Sequence, residues 1–132
     1  MPSILYIDDD IHYARMIVAL LTPHGFQVDT AEDGLEGLRK ARELEPDLIL
    51  LDLYLPRVSG LELIGQLQSE PLTRNIPLVV MTALPLEQSR QLVDGTGVQD
   101  CIAKPFKPDE LTAILHRILH RPAHVVSRPS RN

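Results

Sequence analysis

Asp8, Asp9 and Asp10 stand side by side near the start of the chain, and Asp52, Thr82 and Lys104 each directly follow a short apolar run. Carboxylates gathered this closely repel one another, so a folded protein keeps them together where they are solvated or meet a cation. Oxygen-only ligands at this density suit a hard divalent ion, Mg2+ first, with Mn2+ as a substitute. A lysine offers a point charge and a threonine hydroxyl a hydrogen-bond donor, and together they suit a phosphoryl group. A carboxylate can itself attack phosphorus to give an aspartyl phosphate. No glycine-rich phosphate loop of the form GxGxxG or GxxxxGK(S/T) is present, which argues against a nucleotide pocket.

These residues must be brought together by the elements between them. Apolar runs at residues 4–7, 26–30, 48–51, 78–81 and 101–103 predict five strands. The third and fourth are continuously apolar, as strands buried on both faces are. Segments of helical length separate them. The first is predicted over Ile11–Leu21, with Ile11, Ala14, Ile17, Val18 and Leu21 inward, Asp10 as its cap, and Pro23 with Gly25 as its stop. The second is predicted over Gly34–Leu44, with Leu35, Leu38, Ala41 and Leu44 inward and Pro46 beyond its end. The third is predicted over Gly60–Ser69, with Leu61, Ile64 and Leu67 inward. The fourth, Leu86–Val93, offers Leu92 and Val93 but has Ser89 where a third apolar anchor belongs, so it is expected to be the least stable element. The last begins at Pro108, a favoured first helical position, and carries a full stripe of Leu111, Ile114, Leu115, Ile118 and Leu119.

Strict alternation of strand and helix with short connections implies a parallel sheet covered on both faces. Ligands of such sheets bind beyond the carboxyl ends of the strands, at the point where strand order reverses. Four of the five runs are followed by a polar group suited to the site, whereas the second is followed only by Ala31. Strand order 2-1-3-4-5, the doubly wound flavodoxin-like arrangement, puts that second strand at an edge and makes the other four contiguous. Asp8, Asp9 and Asp52 then meet at the crevice.

The chain has 132 residues, of which 44% are hydrophobic and 23% charged, so one compact domain is expected and wholesale disorder is excluded. Its formal net charge of −5 argues against a nucleic-acid surface over the whole chain. Residues 1–110 hold all 18 acids, whereas residues 111–132 hold Arg117, Arg121, Arg128 and Arg131 with no acid. Beyond Arg121 the composition turns to Pro, Ser, Arg and His, so residues 1–121 are read as the domain and residues 122–132 as a basic tail or the start of a linker. A single cysteine, Cys101, permits no intrachain disulfide. No apolar run approaches the ~18 residues of a membrane span. The expectation is a cytoplasmic protein that binds neither membrane nor nucleic acid directly.

With Ile4-Leu5-Tyr6-Ile7-Asp8-Asp9-Asp10, Leu50-Leu51-Asp52-Leu53-Tyr54-Leu55-Pro56 with Gly60, Met81-Thr82-Ala83 and Lys104-Pro105-Phe106, the chain resembles the response-regulator receiver domains, the CheY-like phosphoacceptor modules of two-component signalling. The resemblance covers roughly residues 3–120. It implies Asp52 as phosphoacceptor, with Asp8, Asp9, Asp52 and the Tyr54 backbone carbonyl around Mg2+. It implies that Thr82 bonds the phosphoryl oxygens, that Lys104 pairs with carboxylate or phosphoryl group, and that Lys104-Pro105 is cis. The phosphoryl donor would be a histidine kinase or phosphotransfer protein. The output would pass to a partner, or to a second copy as a homodimer, through the face of helix four, strand five and helix five. The domain would catalyse its own phosphorylation and dephosphorylation without acting on a separate substrate. Two rival readings are an interaction module that works without phosphate and a Mg2+-dependent phosphohydrolase. The latter usually needs an acid two residues past its nucleophile, where Tyr54 stands.

Two departures from the family's habit involve three positions. Cys101 stands where an aromatic switch residue is common, three residues before the lysine, and it is read as a small packed apolar residue rather than a redox sensor. Tyr54 and Leu84, each two residues past a site residue, are both bulky and are expected to screen the phosphoryl group from water. Asp33-Gly34 is read as turn chemistry. His116, His120 and His124 recur every four residues, but Pro122 should break their helix, so a solvated helix end is expected rather than a metal site. Arg117 and Arg121 are accounted for by the helix dipole.

Overall fold

The computed structural model describes residues 1–56 and 58–120. Five strands, β1 (Ser3–Ile7), β2 (Gln27–Ala31), β3 (Leu48–Asp52), β4 (Leu78–Thr82) and β5 (Asp100–Ala103), alternate with helices α1 (Ile11–Leu21), α2 (Gly34–Leu44), α3 (Gly60–Ser69), α4 (Leu86–Val93) and α5 (Pro108–Leu119). The sheet order is β2-β1-β3-β4-β5, as the distribution of polar strand ends predicts, and every pairing is parallel, as the alternation of strand and helix predicts. The tail over residues 122–132 and His124 within it lie outside the described residues.

Alternation along the central strands divides the interior in two. Leu5, Ile7, Ile49, Leu51 and Val80 pack with Leu38 and Ala41 of α2, Leu63, Ile64 and Leu67 of α3, and Val93 of α4. On the other face Ile4, Tyr6, Leu48, Leu50, Val79 and Met81 pack with Ala14, Ile17 and Leu21 of α1 and Leu111, Leu115 and Ile118 of α5. Every residue of β3 and β4 is buried, in keeping with their continuous apolar runs. Burying one such aliphatic side chain stabilises by about 1.5–3 kcal/mol, so the two layers hold the sheet from both sides.

The inward stripes are narrower than the sequence suggests. Ile11, Leu35, Leu44, Leu61 and Leu92, all expected inward, are exposed, whereas Leu63 is fully buried. In α2 the cause is a close approach: Gly34, Gly37, Leu38 and Ala41 form its buried face, and a Cβ at Gly37 would stand 2.6 Å from Ile7 Cδ1. A helix seated this tightly on small residues turns Leu35 and Leu44 toward solvent.

The helix starts differ in how well they are held. Asp10 caps α1 by accepting from the His12 and Tyr13 amides. Asp33 accepts from the Glu36 amide and so caps α2, where turn chemistry alone was expected. Ser59 and Glu62 form a reciprocal capping box on α3. Gly60 then donates its amide to Leu53 O at 2.9 Å, and a Cβ there would lie 2.5 Å from Leu53 Cα. By contrast, α4 starts at Pro85 with no side-chain cap. Its buried Ser89 hydroxyl has no hydrogen-bond partner among the described residues. Among the described residues no helix is long and apolar enough to cross a membrane.

Candidate functional site

Register brings the strand ends level: Ile7 pairs with Leu51, Asp52 with Met81, and Thr82 with Ala103. The next residues, Asp8 after β1 and Lys104 after β5, therefore join Asp52 and Thr82 along one rim. One ligand atom from each of Asp8, Asp9 and Asp52 lies within 4.8 Å of the others. Asp10 stays with its helix as a cap, as expected.

Lys104 Nζ bridges the two buried acids, 2.7 Å from Asp8 Oδ2 and 3.0 Å from Asp52 Oδ2. It also lies 4.3 Å from the centroid of the Tyr13 ring, which supports the cation through its π face. The cis peptide Lys104-Pro105 follows, and the Lys104 amide donates to Thr82 O at 2.7 Å, tying β5 to β4 at the rim. The neighbours of Asp8 differ from those of Asp52. Asp8 Oδ2 also accepts from Tyr6 Oη at 2.5 Å, and its Oδ1 accepts from the Asp10 amide at 3.0 Å. Among the described residues Asp52 Oδ1 accepts the Tyr54 amide alone, at 3.0 Å.

The electrostatics follow the donors. Burial works against ionisation of Asp8, but Lys104, Tyr6 and the Asp10 amide outweigh it and hold that carboxyl below its ordinary range. At Asp52 burial wins over the Tyr54 amide and Lys104, and its carboxyl is raised. Burial opposes charge on Lys104 too, yet its bonds to Asp8 and Asp52 keep the ammonium above its usual value. Burial first, then Asp8, pushes the Tyr6 hydroxyl far above the ordinary tyrosine range, so it remains a donor. Three carboxylates against one ammonium leave an excess of negative charge on an oxygen-only donor set, with Asp9 exposed to solvent. That set fits a hard divalent cation.

Thr82 is fully buried, and its Oγ1 accepts the Leu84 amide at 3.1 Å. Ala83 is exposed and Leu84 half-buried beside it. Tyr54 is 61% exposed at the rim. Cys101 is buried in the layer shared with Val93, and burial pushes its thiol up, as befits a packing residue. The His116 and His120 rings stack 5.3 Å apart at the exposed end of α5. Arg117 binds Asp100 of β5, so the helix dipole alone does not account for it.

Tyr6 and Tyr13 are contacts of the site that sequence reasoning missed. A signal for each was present: Tyr6 precedes Asp8 by two and so shares its face of the extended strand, and Tyr13 follows Asp10 by one helical turn.

The family model described as the response regulator receiver domain matches residues 4–116, and the chain belongs to that family. It is 40% identical over 118 residues to the phosphate regulon transcriptional regulatory protein PhoB of Escherichia coli, covering 89% of this chain and 52% of that protein. It is 41% identical over 112 residues to hybrid signal transduction histidine kinase D of Dictyostelium discoideum, covering 85% of this chain and 7% of the kinase. The chain thus spans about half the length of the regulator and a small part of the kinase. Among solved structures it superposes on the receiver domain of sensor histidine kinase PA1611 from Pseudomonas aeruginosa with a TM-score of 0.83 and 31% identity, covering 90% of this chain and 98% of that one. That structure holds a magnesium ion in its active-site cleft. Chemotaxis protein CheY4 of Vibrio cholerae superposes with a TM-score of 0.82 and 29% identity, covering 89% and 98%.

Proposed function

We propose that this receiver domain accepts a phosphoryl group onto Asp52 from a phosphohistidine of a histidine kinase or phosphotransfer protein, in a Mg2+-dependent reaction, and thereby switches a protein-interaction surface. The observation that carries this reading is the Lys104 ammonium held between Asp8 and Asp52, with Asp9 beside them at the open rim. One Asp52 oxygen attacks phosphorus as the bond from phosphorus to the donor imidazole breaks, and the electron pair of that bond leaves with the imidazole nitrogen. Asp8, Asp9, Asp52 and the Tyr54 backbone carbonyl would hold Mg2+, or Mn2+ in its place, and the bound ion supplies charge neutralisation for the transferring group. Lys104 moves its charge from the carboxylates to a phosphoryl oxygen. Thr82 exchanges its bond with the Leu84 amide for donation to another.

The product adds ~1.5–2 negative charges at the rim. Reorientation of Thr82 and Ala83 then biases α4, the helix with the weakest start, and through it the face of α4, β5 and α5. That face would engage an output partner or a second copy. With Cys101 buried where an aromatic switch is common, Thr82 and α4 would carry the change without a rotating ring. The transcriptional regulators and the hybrid kinase among the relatives motivate a place in two-component signalling in the cytoplasm, with any DNA contact left to other segments. The domain acts on itself and turns over no separate substrate, since Tyr54 stands where a hydrolase would place a general acid.

Incubation with Mg2+ and either acetyl phosphate or beryllofluoride tests the reading. A phosphoryl mass increase, or a fluoroberyllate signal, is expected in the parent chain and absent in Asp52→Asn. A parent chain that forms neither adduct would sink it and favour an interaction module independent of phosphate.

A further inference from the structure

Tyr6 is fully buried among the apolar residues of the layer under α1 and α5. Its Oη has two neighbours able to accept: Asp8 Oδ2 at 2.5 Å and, more weakly, Met81 Sδ at 3.7 Å. Asp8 continues the extended course of β1, its amide donating to Ala31 O at 3.0 Å, so Tyr6 two residues earlier shares its face and the hydroxyl meets the carboxylate from the core side. Lys104 meets the same oxygen at 2.7 Å, while Oδ1 accepts the Asp10 amide. A carboxylate has about four lone-pair sites, two on each oxygen. Both sites on Oδ2 are therefore occupied by protein donors, and the one left over is on Oδ1.

Ca2+ accepts carboxylates in bidentate fashion at long and variable distances, whereas Mg2+ demands compact octahedral geometry from single oxygens and waters. We propose that Tyr6 is a positioning residue that determines cation choice: by capping Asp8 Oδ2 from within the core, beside the Lys104 ammonium on the same oxygen, it restricts Asp8 to coordination through Oδ1 and selects Mg2+ over Ca2+. This rests on the Mg2+-dependent reading above. The cap also persists when Lys104 swings to a phosphoryl oxygen, because the tyrosine cannot leave the core. Asp8 thus keeps its orientation through the reaction even as it loses one of its two donors on Oδ2.

The test is calorimetric titration of the full chain with MgCl2 and with CaCl2, in the parent, in Tyr6→Phe and in Tyr6→Leu. Both variants lose the hydroxyl but fill the core differently, and thermal unfolding in chelator establishes that they fold. Mg2+ affinity should fall about tenfold, the lower end of what removing a partner of a metal ligand costs. Ca2+ affinity should fall less or rise, so that the preference moves toward Ca2+ in both variants. Equal weakening of both ions would make Tyr6 a mere packing residue, and unchanged affinities would equally overturn its role. If the parent forms its beryllofluoride adduct while the variants keep the parent's preference, only the Tyr6 inference falls. If the parent binds neither ion, the Mg2+ reading falls with it.

Discussion

The two halves of the rim are held in opposite ways. At the ends of β1, β3 and β5, among the described residues, Asp8 has three donors, Asp52 has two, and Lys104 is fastened to both acids while lying over Tyr13. At the end of β4 and along α4, Thr82 holds one amide, α4 starts without a side-chain cap, and the buried Ser89 hydroxyl has no partner among the described residues. Chemistry that needs oxygen atoms fixed to fractions of an ångström sits on the well-bonded side. The proposed shift of α4 when a charge arrives needs a small free-energy gap between its arrangements, and poor capping with an unpaired buried hydroxyl would narrow that gap.

Several changes would break or sharpen this contrast. The largest effect is expected at Asp52: Asp52→Asn should abolish phosphoryl and beryllofluoride adducts, read by intact mass and fluorine resonance. Next, Lys104→Met should destabilise the Mg2+-free protein by about 3 kcal/mol, because two acids of a buried cluster lose their shared cation. Urea unfolding would show this, and added Mg2+ should recover part of the loss. On the other side, Ser89→Ala should stabilise by about 1 kcal/mol, since it removes a buried unpaired hydroxyl and improves helix propensity. A destabilised Ser89→Ala protein would mean that α4 is not the loosely held element.

Smaller effects, of order 1 kcal/mol, separate the two acids by pH. The Asp52 carboxyl is raised in the folded state, so its ionisation costs stability above its folded pKa. Asp52→Asn should therefore raise the melting temperature at neutral pH without metal. The gain should shrink as pH falls through the raised value toward the ordinary one. The Asp8 carboxyl is lowered, so its contribution is present above the ordinary carboxylate value and is lost as pH falls through the depressed one. Asp8→Asn should lower the melting temperature at neutral pH, by an amount that fades in acid. Finally, combined Tyr54→Ala and Leu84→Ala should shorten the lifetime of the aspartyl phosphate several-fold, a modest share of the barrier to hydrolysis. An unchanged lifetime would show that these side chains do not screen the phosphoryl group from water.

Much of this architecture is legible in the residues themselves. Helices α1 to α4 span the residues the sequence predicts, most sharply where Asp10 starts α1 and where Pro23 and Pro46 follow the ends of α1 and α2, because such signals act over a single turn. Strand ends are less legible: Asp52 and Thr82 belong to the ladder, since backbone pairing continues past the last apolar side chain. Which leucines face inward depends on how closely a helix approaches the sheet. At α2 the glycine at position 37, rather than any leucine, sets that distance. The acids, threonine and lysine of the site announce themselves as polar groups after apolar runs. Tyr6 and Tyr13 do not, because an aromatic residue in a strand or on a helix face reads first as core.

The chain contains no tryptophan and three tyrosines. All three border the rim: Tyr6 is bonded to Asp8, Tyr13 lies beneath the Lys104 ammonium, and Tyr54 is joined through its amide to Asp52. The intrinsic fluorescence of this chain is therefore an optical report on its acid cluster. A cation entering among the carboxylates, or an ammonium lifting off the Tyr13 ring, changes the surroundings of an emitter without any label being attached. Stopped-flow tyrosine emission would thus time the proposed movement of Lys104 in the unmodified sequence.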